Sequence, residues 1–212
     1  MKKPALTSVI STITMARHGK APSVLGKPDS ERVLGELGLQ QAGALKAKLK
    51  DHPVDLVVSS PLVRAVDTIS IATGKPKTDI ILLAALGCSD DPADPLNIMY
   101  NELGYVPLIT DDLEKPGYFQ HELTHNLKDY GHMALKSVIA VSEEASRRLG
   151  GRPIHVIIGG HAVCQNALAW ALCEQLEQDG PAAQLVTRTS LGEAEAFRFD
   201  LTGAEIACEH IK

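Results

Sequence analysis

The chain has no long hydrophobic run and no cluster of basic residues. None of its apolar stretches approaches the roughly 18 to 20 consecutive residues that cross a bilayer, so no membrane-spanning helix is expected. No segment is rich in Lys and Arg, and the formal net charge is −5 at pH 7, which disfavours a nucleic-acid-binding surface. We therefore expect neither a membrane nor a nucleic acid as a partner, and a phosphorylated ligand would need a local basic pocket.

Cysteine is scarce and shows no pairing pattern. The four cysteines are scattered without any CxxC spacing, at Cys88, Cys164, Cys173 and Cys208. This excludes a disulfide-dense secreted scaffold and favours a reducing cytoplasm. Residues 1–16 imitate a secretory signal, with a short basic head and a small residue at the end. Cleavage there would delete the first predicted strand, so we reject a signal peptide and expect a cytoplasmic protein.

The composition is that of a folded chain. Of the 212 residues, 44% are hydrophobic, and the mean hydropathy is near zero. A chain of this size buries a sizeable core as one domain, or as one domain that carries an insertion. No internal repeat and no low-complexity tract is present.

Apolar runs alternate with segments of helical periodicity, which is typical of an α/β sheet. The predicted strands are 9–15, 54–58, 80–83, 154–158 and 194–199. The predicted helices are 37–50, 64–73, 134–149 and 163–178. From about Gly87 to Gly131, prolines and glycines interrupt this alternation. We predict a single domain over residues 1–212, with an inserted cap at about 87–133.

The first predicted strand ends in Arg17-His18-Gly19. Ligands of open α/β sheets gather at strand ends, and the guanidinium of arginine is a planar fork that matches phosphate oxygens. Taken alone, the tripeptide also fits a polar rim of the sheet. The phosphate hypothesis therefore depends on the residues at the ends of the other strands.

Two further strand ends carry the same chemistry. The segment Ser59 to Thr68 follows a buried strand and presents Arg64 from the first turn of a predicted helix. A third strand ends in Gly159-Gly160-His161, where glycines permit close approach of the backbone to an anion. The helix after His161 offers free N–H groups at its positive end. Two histidines and two arginines on three strand ends indicate an anion site rather than isolated rim residues.

These residues resemble the histidine phosphatase superfamily, also called phosphoglycerate mutase-like, over nearly the full chain. The family's RHG motif is similar to Arg17-His18-Gly19, its second-arginine motif is similar to residues 59–65, and its second histidine would be His161. Residues 39–42 also resemble the first helix of that family. The resemblance implies a doubly wound, mainly parallel sheet with helices on both faces, and phosphoryl transfer through a phosphohistidine.

The resemblance implies a role for each motif residue. His18, neutral at working pH, would attack phosphorus and become phosphorylated. Arg17, Arg64 and His161 would bind the phosphoryl oxygens and neutralise the charge that develops on them. Since these residues supply the positive charge, no metal and no cofactor is predicted. The expected enzyme is a phosphatase acting on a phosphomonoester or a phosphohistidine, carried by a small molecule or a phosphoprotein.

The general acid departs from the family pattern. Many relatives place a glutamate just after the third strand, whereas Cys88 stands near that position here. Asp90 is our candidate for protonating the leaving group, with Asp91 and Glu122 as alternatives. Relatives that act on phosphohistidine have a good leaving group and work without an acid. Lys20 is a further candidate contact to an anionic substrate.

A competing signal lies in the predicted cap. His121-Glu122-Leu123-Thr124-His125 matches HExxH, and Glu144 stands where a third zinc ligand would fall in a metallopeptidase. On one helix, the two histidines would face the same way with the glutamate as general base. The motif lies in an irregular region and explains none of the strand-end residues. An ordinary amphipathic cap helix is the favoured interpretation of it.

Two further functions are compatible with the same residues. A non-catalytic phosphate-binding regulatory module would keep the pocket but would need no nucleophile, so His18 favours chemistry. Mutase activity is also compatible with the resemblance, and the cap would decide between the two reactions. Aromatic residues of the cap are candidates for its entrance: Tyr100, Tyr105, Tyr118 and Phe119. The sequence does not predict the oligomeric state.

Overall fold

The computed structural model describes residues 5–112, 114–176, 179–203 and 205–212. Within them, one six-stranded sheet has the order β3-β2-β4-β1-β5-β6. Its strands are β1 (Ile10–Arg17), β2 (Leu56–Ser59), β3 (Ile81–Leu82), β4 (Ile154–Gly160), β5 (Ala196–Asp200) and β6 (Ala207–Ile211). The pairs β3–β2, β2–β4 and β4–β1 are parallel. The pairs β1–β5 and β5–β6 are antiparallel. The sheet is therefore mainly parallel, as predicted.

The α-helices are α1 (Ala5–Val9), α2 (Glu36–Leu49), α3 (Val63–Thr73), α4 (Pro95–Leu103), α5 (Thr124–Arg148), α6 (Ala162–Gln175) and α7 (Pro181–Arg188). No helix among the described residues is both long enough and apolar enough to span a membrane.

The helices cover both faces of the sheet because its central strands are apolar on both sides. In β4, Val156 and Ile158 belong to a cluster that contains the inward side chains of α5 and α6. The intervening residue, Ile157, belongs to a second cluster with α2 and α3. This period of two is the alternation of a strand buried on both faces. It confirms the predicted doubly wound α/β class.

The structure differs from the predicted elements mainly beyond the central strands. Helix α5 begins at Thr124 rather than at residue 134, so the predicted helix 134–149 is its second part. The predicted helix 163–178 is α6, which ends at Gln175, and residues 177 and 178 lie outside the described residues. Helices α1, α4 and α7 and strand β6 were not predicted. The cap at 87–133 remains a prediction; its described residues include α4 and the first turns of α5.

Candidate active site

Three neighbouring strands bring the predicted motifs to one edge of the sheet. Strand β4 lies between β2 and β1, and all three run parallel. In the pairing register, Arg17 is opposite Gly160, and Ser59 is opposite Gly159. The residues after these strands therefore converge at their carboxyl ends. They form the floor of a cavity of about 740 Å³ that is lined by Arg17, His18, Arg64 and His161, among other residues.

His18 is buried, and its backbone N–H donates to the Gly160 carbonyl at 2.9 Å. Its Nδ1 lies 2.8 Å from the Gly19 carbonyl, which can only accept, so Nδ1 carries the proton and Nε2 is unprotonated. The Nε of Arg64 donates to that Nε2 at 3.3 Å. Burial, with the positive charges of Arg64 and Arg17, lowers the pKa of His18 from 6.5 to about 4. The imidazole is therefore neutral at neutral pH.

Arg17 is held by the polypeptide that precedes β5. Its backbone N–H donates to the Glu195 carbonyl at 3.0 Å, and its Nη1 donates to the Leu191 carbonyl at 2.7 Å. The guanidinium carbon lies 4.2 Å from the centre of the Tyr105 ring, a cation–π contact. Its Nε is buried and has no hydrogen-bond partner among the described residues. A buried guanidinium with an unused donor is suited to an anion.

Arg64 comes from the first turn of α3 and is 3% exposed. Its Nη1 donates to the Asp29 carbonyl at 2.6 Å, and its Nη2 pairs with Asp29 Oδ2 at 2.5 Å. The other carboxylate oxygen of Asp29 pairs with Arg32 at 2.5 Å. Burial alone would raise the pKa of Asp29, but the hydrogen bond from Arg32 and the charge of Arg64 hold it below its usual value. The carboxylate of Asp29 thus occupies the guanidinium group of Arg64, which the sequence predicts to bind phosphate.

His161 completes the cluster from the position before α6. Its Nε2 and the Ser60 hydroxyl oxygen are 2.9 Å apart, and its ring centre lies 5.2 Å from that of His18. Burial and the neighbouring His18, Arg64 and Arg17 place the pKa of His161 well below 6.5. The fixed ring faces the same cavity as His18. It is therefore placed to hydrogen-bond an oxygen of a group attached to His18.

The glycine next to this histidine leaves room for the side chain of Gln165. A Cβ at Gly160 would lie 2.3 Å from the Gln165 Nε2. That amide is itself buried and donates to the Ala16 carbonyl at 3.2 Å. A side chain at residue 160 would therefore displace the Gln165 amide from this hydrogen bond.

The candidate acids lie in three different settings. Asp90 lines the cavity, is exposed, and accepts a hydrogen bond from the Ser30 N–H at 3.0 Å. Asp91 and Glu122 are exposed and do not line the cavity. Lys20 pairs with Glu193 at 3.1 Å and does not line it either. Among these carboxylates, only Asp90 is in the cavity wall.

The HExxH segment does not form the helix that a metallopeptidase would require. His121 and Glu122 precede α5, which begins at Thr124. The imidazole of His121 pairs with Glu102 at 2.9 Å, and that of His125 lies 3.0 Å from the amide of Asn126. Glu144 pairs with Arg147 and Arg148. No group of three potential metal ligands occurs within the described residues, and the zinc alternative is not supported.

Two site residues were not found from the sequence. Asp29 and Arg32 line the cavity and contact Arg64 or each other. They lie in a polar loop without periodicity, and the one available signal was the Asp-Ser-Glu-Arg cluster at 29–32. Of the candidate entrance aromatics, Tyr100, Tyr105 and Tyr118 line the cavity, whereas Phe119 packs on Trp170.

Residues 13–87 match the family model of the histidine phosphatase superfamily (branch 1). The matched segment carries the motifs of Arg17, His18 and Arg64 and ends before α4. The match therefore agrees with the family resemblance that the sequence analysis draws from these motifs. No sequence among curated proteins matches the chain.

Solved structures share the fold over almost the whole chain. A mycobacterial glucosyl-3-phosphoglycerate phosphatase in complex with VO3 has a TM-score of 0.58 at 19% identity, covering 94% of this chain and 96% of that one. A phosphoserine phosphatase from Entamoeba histolytica with 3-phosphoglyceric acid has a TM-score of 0.59 at 14% identity, covering 95% and 96%. The product of an open reading frame of Mycobacterium tuberculosis has a TM-score of 0.56 at 18% identity, covering 93% and 95%.

Proposed function

We propose that this chain is a histidine phosphatase, as the match of its residues 13–87 to that superfamily's model suggests, and that it hydrolyses phosphomonoesters through a phosphohistidine on His18. One observation carries the proposal. The unprotonated Nε2 of a buried, neutral imidazole faces a cavity whose walls hold Arg17, Arg64 and His161. A neutral nucleophile beside two guanidinium cations and a hydrogen-bonding imidazole is what in-line attack on a phosphoryl group needs.

The reaction divides into two displacements on phosphorus. His18 Nε2 attacks the phosphorus, the bond to the substrate oxygen breaks, and the leaving oxygen takes a proton. Water then attacks the phosphohistidine, the N–P bond breaks, and inorganic phosphate leaves. The Nδ1–H bond to the Gly19 carbonyl keeps Nε2 directed into the cavity in both steps.

The phosphoryl oxygens are held by Arg17, Arg64 and His161. Arg17 contributes its guanidinium, whose Nε has no partner among the described residues, and His161 contributes Nδ1, the ring nitrogen that is not bonded to Ser60. A phosphoryl group on Arg64 displaces the carboxylate of Asp29, which leaves Arg32 as a further cation at the rim. These charges neutralise the transition state without a divalent ion.

Asp90 is the proposed acid for the leaving group. Three carboxylates line the cavity, namely Asp29, Asp90 and Asp94. Asp29 is paired with two arginines, and Asp94 accepts the Leu96 N–H at the start of α4. Asp90 accepts one hydrogen bond from Ser30, which leaves oxygen lone pairs free to carry a proton. A substrate with a good leaving group, such as a phosphohistidine or an aryl phosphate, needs little of this help.

The substrate we favour is a small phosphorylated molecule, although a phosphoprotein segment suits the same phosphate site. A cavity of about 740 Å³ lies in the range typical of small-molecule sites. The similar solved structures include phosphatases of glucosyl-3-phosphoglycerate and of phosphoserine. We also propose that residues 87–133 act as a cap within one domain, and that the protein is cytoplasmic.

Hydrolysis of an aryl phosphate by the wild type and by His18→Ala tests the proposal. We expect the variant to lose at least about a thousandfold in kcat, because the nucleophile is removed, while its circular dichroism spectrum is unchanged. Rapid acid-free quenching followed by mass spectrometry should find a phosphate on His18 in the wild type. His125→Ala, a change at an exposed histidine, is the matched control and should keep full activity.

A chelator added to each reaction separates this mechanism from metal chemistry. The rate should be unchanged by the chelator. Activity that survives His18→Ala, or a chelator-sensitive rate that zinc restores, would overturn the proposal.

A further inference from the structure

Two cysteine thiols face each other in the wall of the active-site cavity. Cys88 Sγ and Cys164 Sγ are 3.8 Å apart, although 76 positions separate them in the chain. Both residues line the cavity that holds His18, and both are free thiols. A small solute that enters the cavity therefore meets the pair, which otherwise packs in the protein interior.

Each thiol belongs to an element that shapes the catalytic site. Cys88 lies in the loop after β3, two residues before Asp90. Cys164 lies in the first turn of α6, three residues after His161. A covalent bond between them would join the loop that carries the proposed acid to the helix that follows His161.

The two thiols differ in reactivity because their surroundings differ. Cys164 receives hydrogen bonds from Cys88 and from the hydroxyl of Tyr130, and these lower its pKa below the usual value. Its position at a helix N-terminus acts in the same direction. The hydrogen bond to Cys164 and burial raise the pKa of Cys88. Because Cys164 lies at the N-terminus of α6, we assign it as the nucleophile, and Cys88, 3.8 Å away, as the thiol that resolves its oxidation.

We propose that Cys88 and Cys164 form an oxidation site in which a hydroperoxide converts the two thiols to a disulfide and thereby inactivates the enzyme. The Cys164 thiolate attacks one oxygen of the hydroperoxide, the O–O bond breaks, and a sulfenic acid and hydroxide form. The Cys88 sulfur then attacks the sulfenic sulfur, the S–O bond breaks, and water leaves. The two thiols lose two electrons in total, and with hydrogen peroxide the oxidant becomes two molecules of water.

Inactivation follows from the distance that the sulfurs must move. A disulfide bond is about 2.05 Å long, so the two sulfurs must approach by roughly 1.7 Å from their separation of 3.8 Å. Rotation of the two side chains closes part of this gap, and we expect a shift of the loop with Asp90 or of the first turn of α6, both in the proposed catalytic site, to close the rest. A displacement of this size is large for catalytic geometry, in which about 1 Å costs on the order of a hundredfold. This effect on turnover rests on the proposed function, whereas the formation of the disulfide does not.

The chain contains its own comparison thiols. Burial raises the pKa of Cys173 to about 12 and that of Cys208 still further. Neither residue lines the cavity. We expect both to stay reduced under conditions that oxidise the cavity pair.

The test treats the full chain with hydrogen peroxide, blocks the remaining thiols with N-ethylmaleimide, and maps the digest by mass spectrometry. We expect a cross-linked peptide pair that contains Cys88 and Cys164, with Cys173 and Cys208 alkylated. Cys88→Ser and Cys164→Ser should each abolish that cross-link, and the matched control Cys208→Ser should keep it. Absence of the cross-link, or a cross-link between Cys173 and Cys208, would overturn the site.

The second readout is aryl phosphate hydrolysis, with each variant compared with its own untreated rate. We expect oxidation to slow the wild type and Cys208→Ser at least tenfold, and dithiothreitol to restore both. Cys164→Ser should keep its rate. A complete cross-link with an unchanged rate would refute the inactivation and leave the oxidation site standing. If the wild type turns over no aryl phosphate, the proposed function fails, and calorimetric binding of inorganic phosphate then shows whether the cross-link alters the pocket.

Discussion

At the scale of single residues, different neighbours of His18 determine which ring nitrogen carries the proton and whether the ring is charged. The Gly19 carbonyl selects the tautomer, whereas burial and the adjacent guanidinium groups keep the ring neutral. The same guanidinium groups would hold the phosphate. In the proposed mechanism, the same guanidinium groups therefore both keep the nucleophile neutral and bind the group that it attacks.

Asp29 lies where the phosphoryl group is proposed to bind, so we predict that Asp29→Asn binds inorganic phosphate about three- to tenfold more tightly. The anion no longer has to displace a carboxylate from Arg64 and Arg32. The gain is modest because about half of the Asp29 side chain is exposed, and exposed ion pairs are worth about 1 kcal/mol or less. Isothermal titration calorimetry measures the dissociation constant directly.

Asp91→Asn is the matched control for this prediction. It removes the same charge from an exposed residue that lies outside the cavity lining, so its phosphate affinity should equal that of the wild type. Weaker phosphate binding by Asp29→Asn would mean that Asp29 positions the arginines for phosphate rather than competing with it.

At the scale of elements, the central strands were the most predictable part of the chain. The apolar runs at 9–15 and 154–158 gave β1 and β4 to within a few residues, because strands buried on both faces are continuously apolar. Strand β6, Ala207–Ile211, was missed since its residues are mostly half-exposed and two of them are polar. The predicted start of helix α5 was ten residues too late because its first turns are rich in polar residues. In the structure, Leu127 and Tyr130 of these turns are buried.

The sequence predicted only those site residues that directly follow a strand. Arg17, His18, Arg64 and His161 follow predicted strands and line one cavity. Arg32 and Asp29 reach the cavity from a loop whose path the sequence does not encode as a periodic pattern. The pairing of Cys88 with Cys164 required the three-dimensional structure for the same reason.

Helices α5 and α6 pack closely around Gly131, which leads to a prediction about stability. A Cβ at residue 131 would lie 2.5 Å from the Ala167 carbonyl of α6, so Gly131→Ala should lower the free energy of unfolding by about 1–3 kcal/mol. Gly43→Ala is the matched control on α2, where a Cβ has nothing within 4 Å. That change should raise stability by about 0.5–1 kcal/mol through helix propensity.

Urea denaturation of both variants measures the two effects. If Gly131→Ala and Gly43→Ala changed the free energy of unfolding equally, α5 and α6 would accommodate the added methyl group without loss of stability.

At the scale of the whole molecule, buried neutral histidines should make the fold sensitive to acid. His18, His155 and His161 all have a pKa below 6.5, chiefly because they are buried. Below pH 6.5 the unfolded chain binds protons that the folded chain does not, so stability falls as pH falls. For His18, a pKa of about 4 corresponds to a loss of about 3 kcal/mol between pH 6.5 and pH 4.

Urea denaturation from pH 7 to pH 4 tests this expectation, with His18→Asn as the comparison. The variant should lose less stability over this range than the wild type, by about the contribution of one histidine. Parallel curves for the two proteins would mean that His18 titrates normally in the folded state.

The strands β2, β4 and β1 are neighbours in the sheet, and the candidate catalytic residues lie at their ends, apart from the predicted cap. Neighbouring strands are about 4.8 Å apart, so the spacing of the catalytic groups is set by backbone ladders in the middle of the sheet. The described residues between 87 and 123 lie outside those ladders. Changes there would reshape the space around the rest of a substrate without moving the proposed phosphate site at the strand ends. This architecture is therefore well suited to acquiring new substrates while keeping one chemistry.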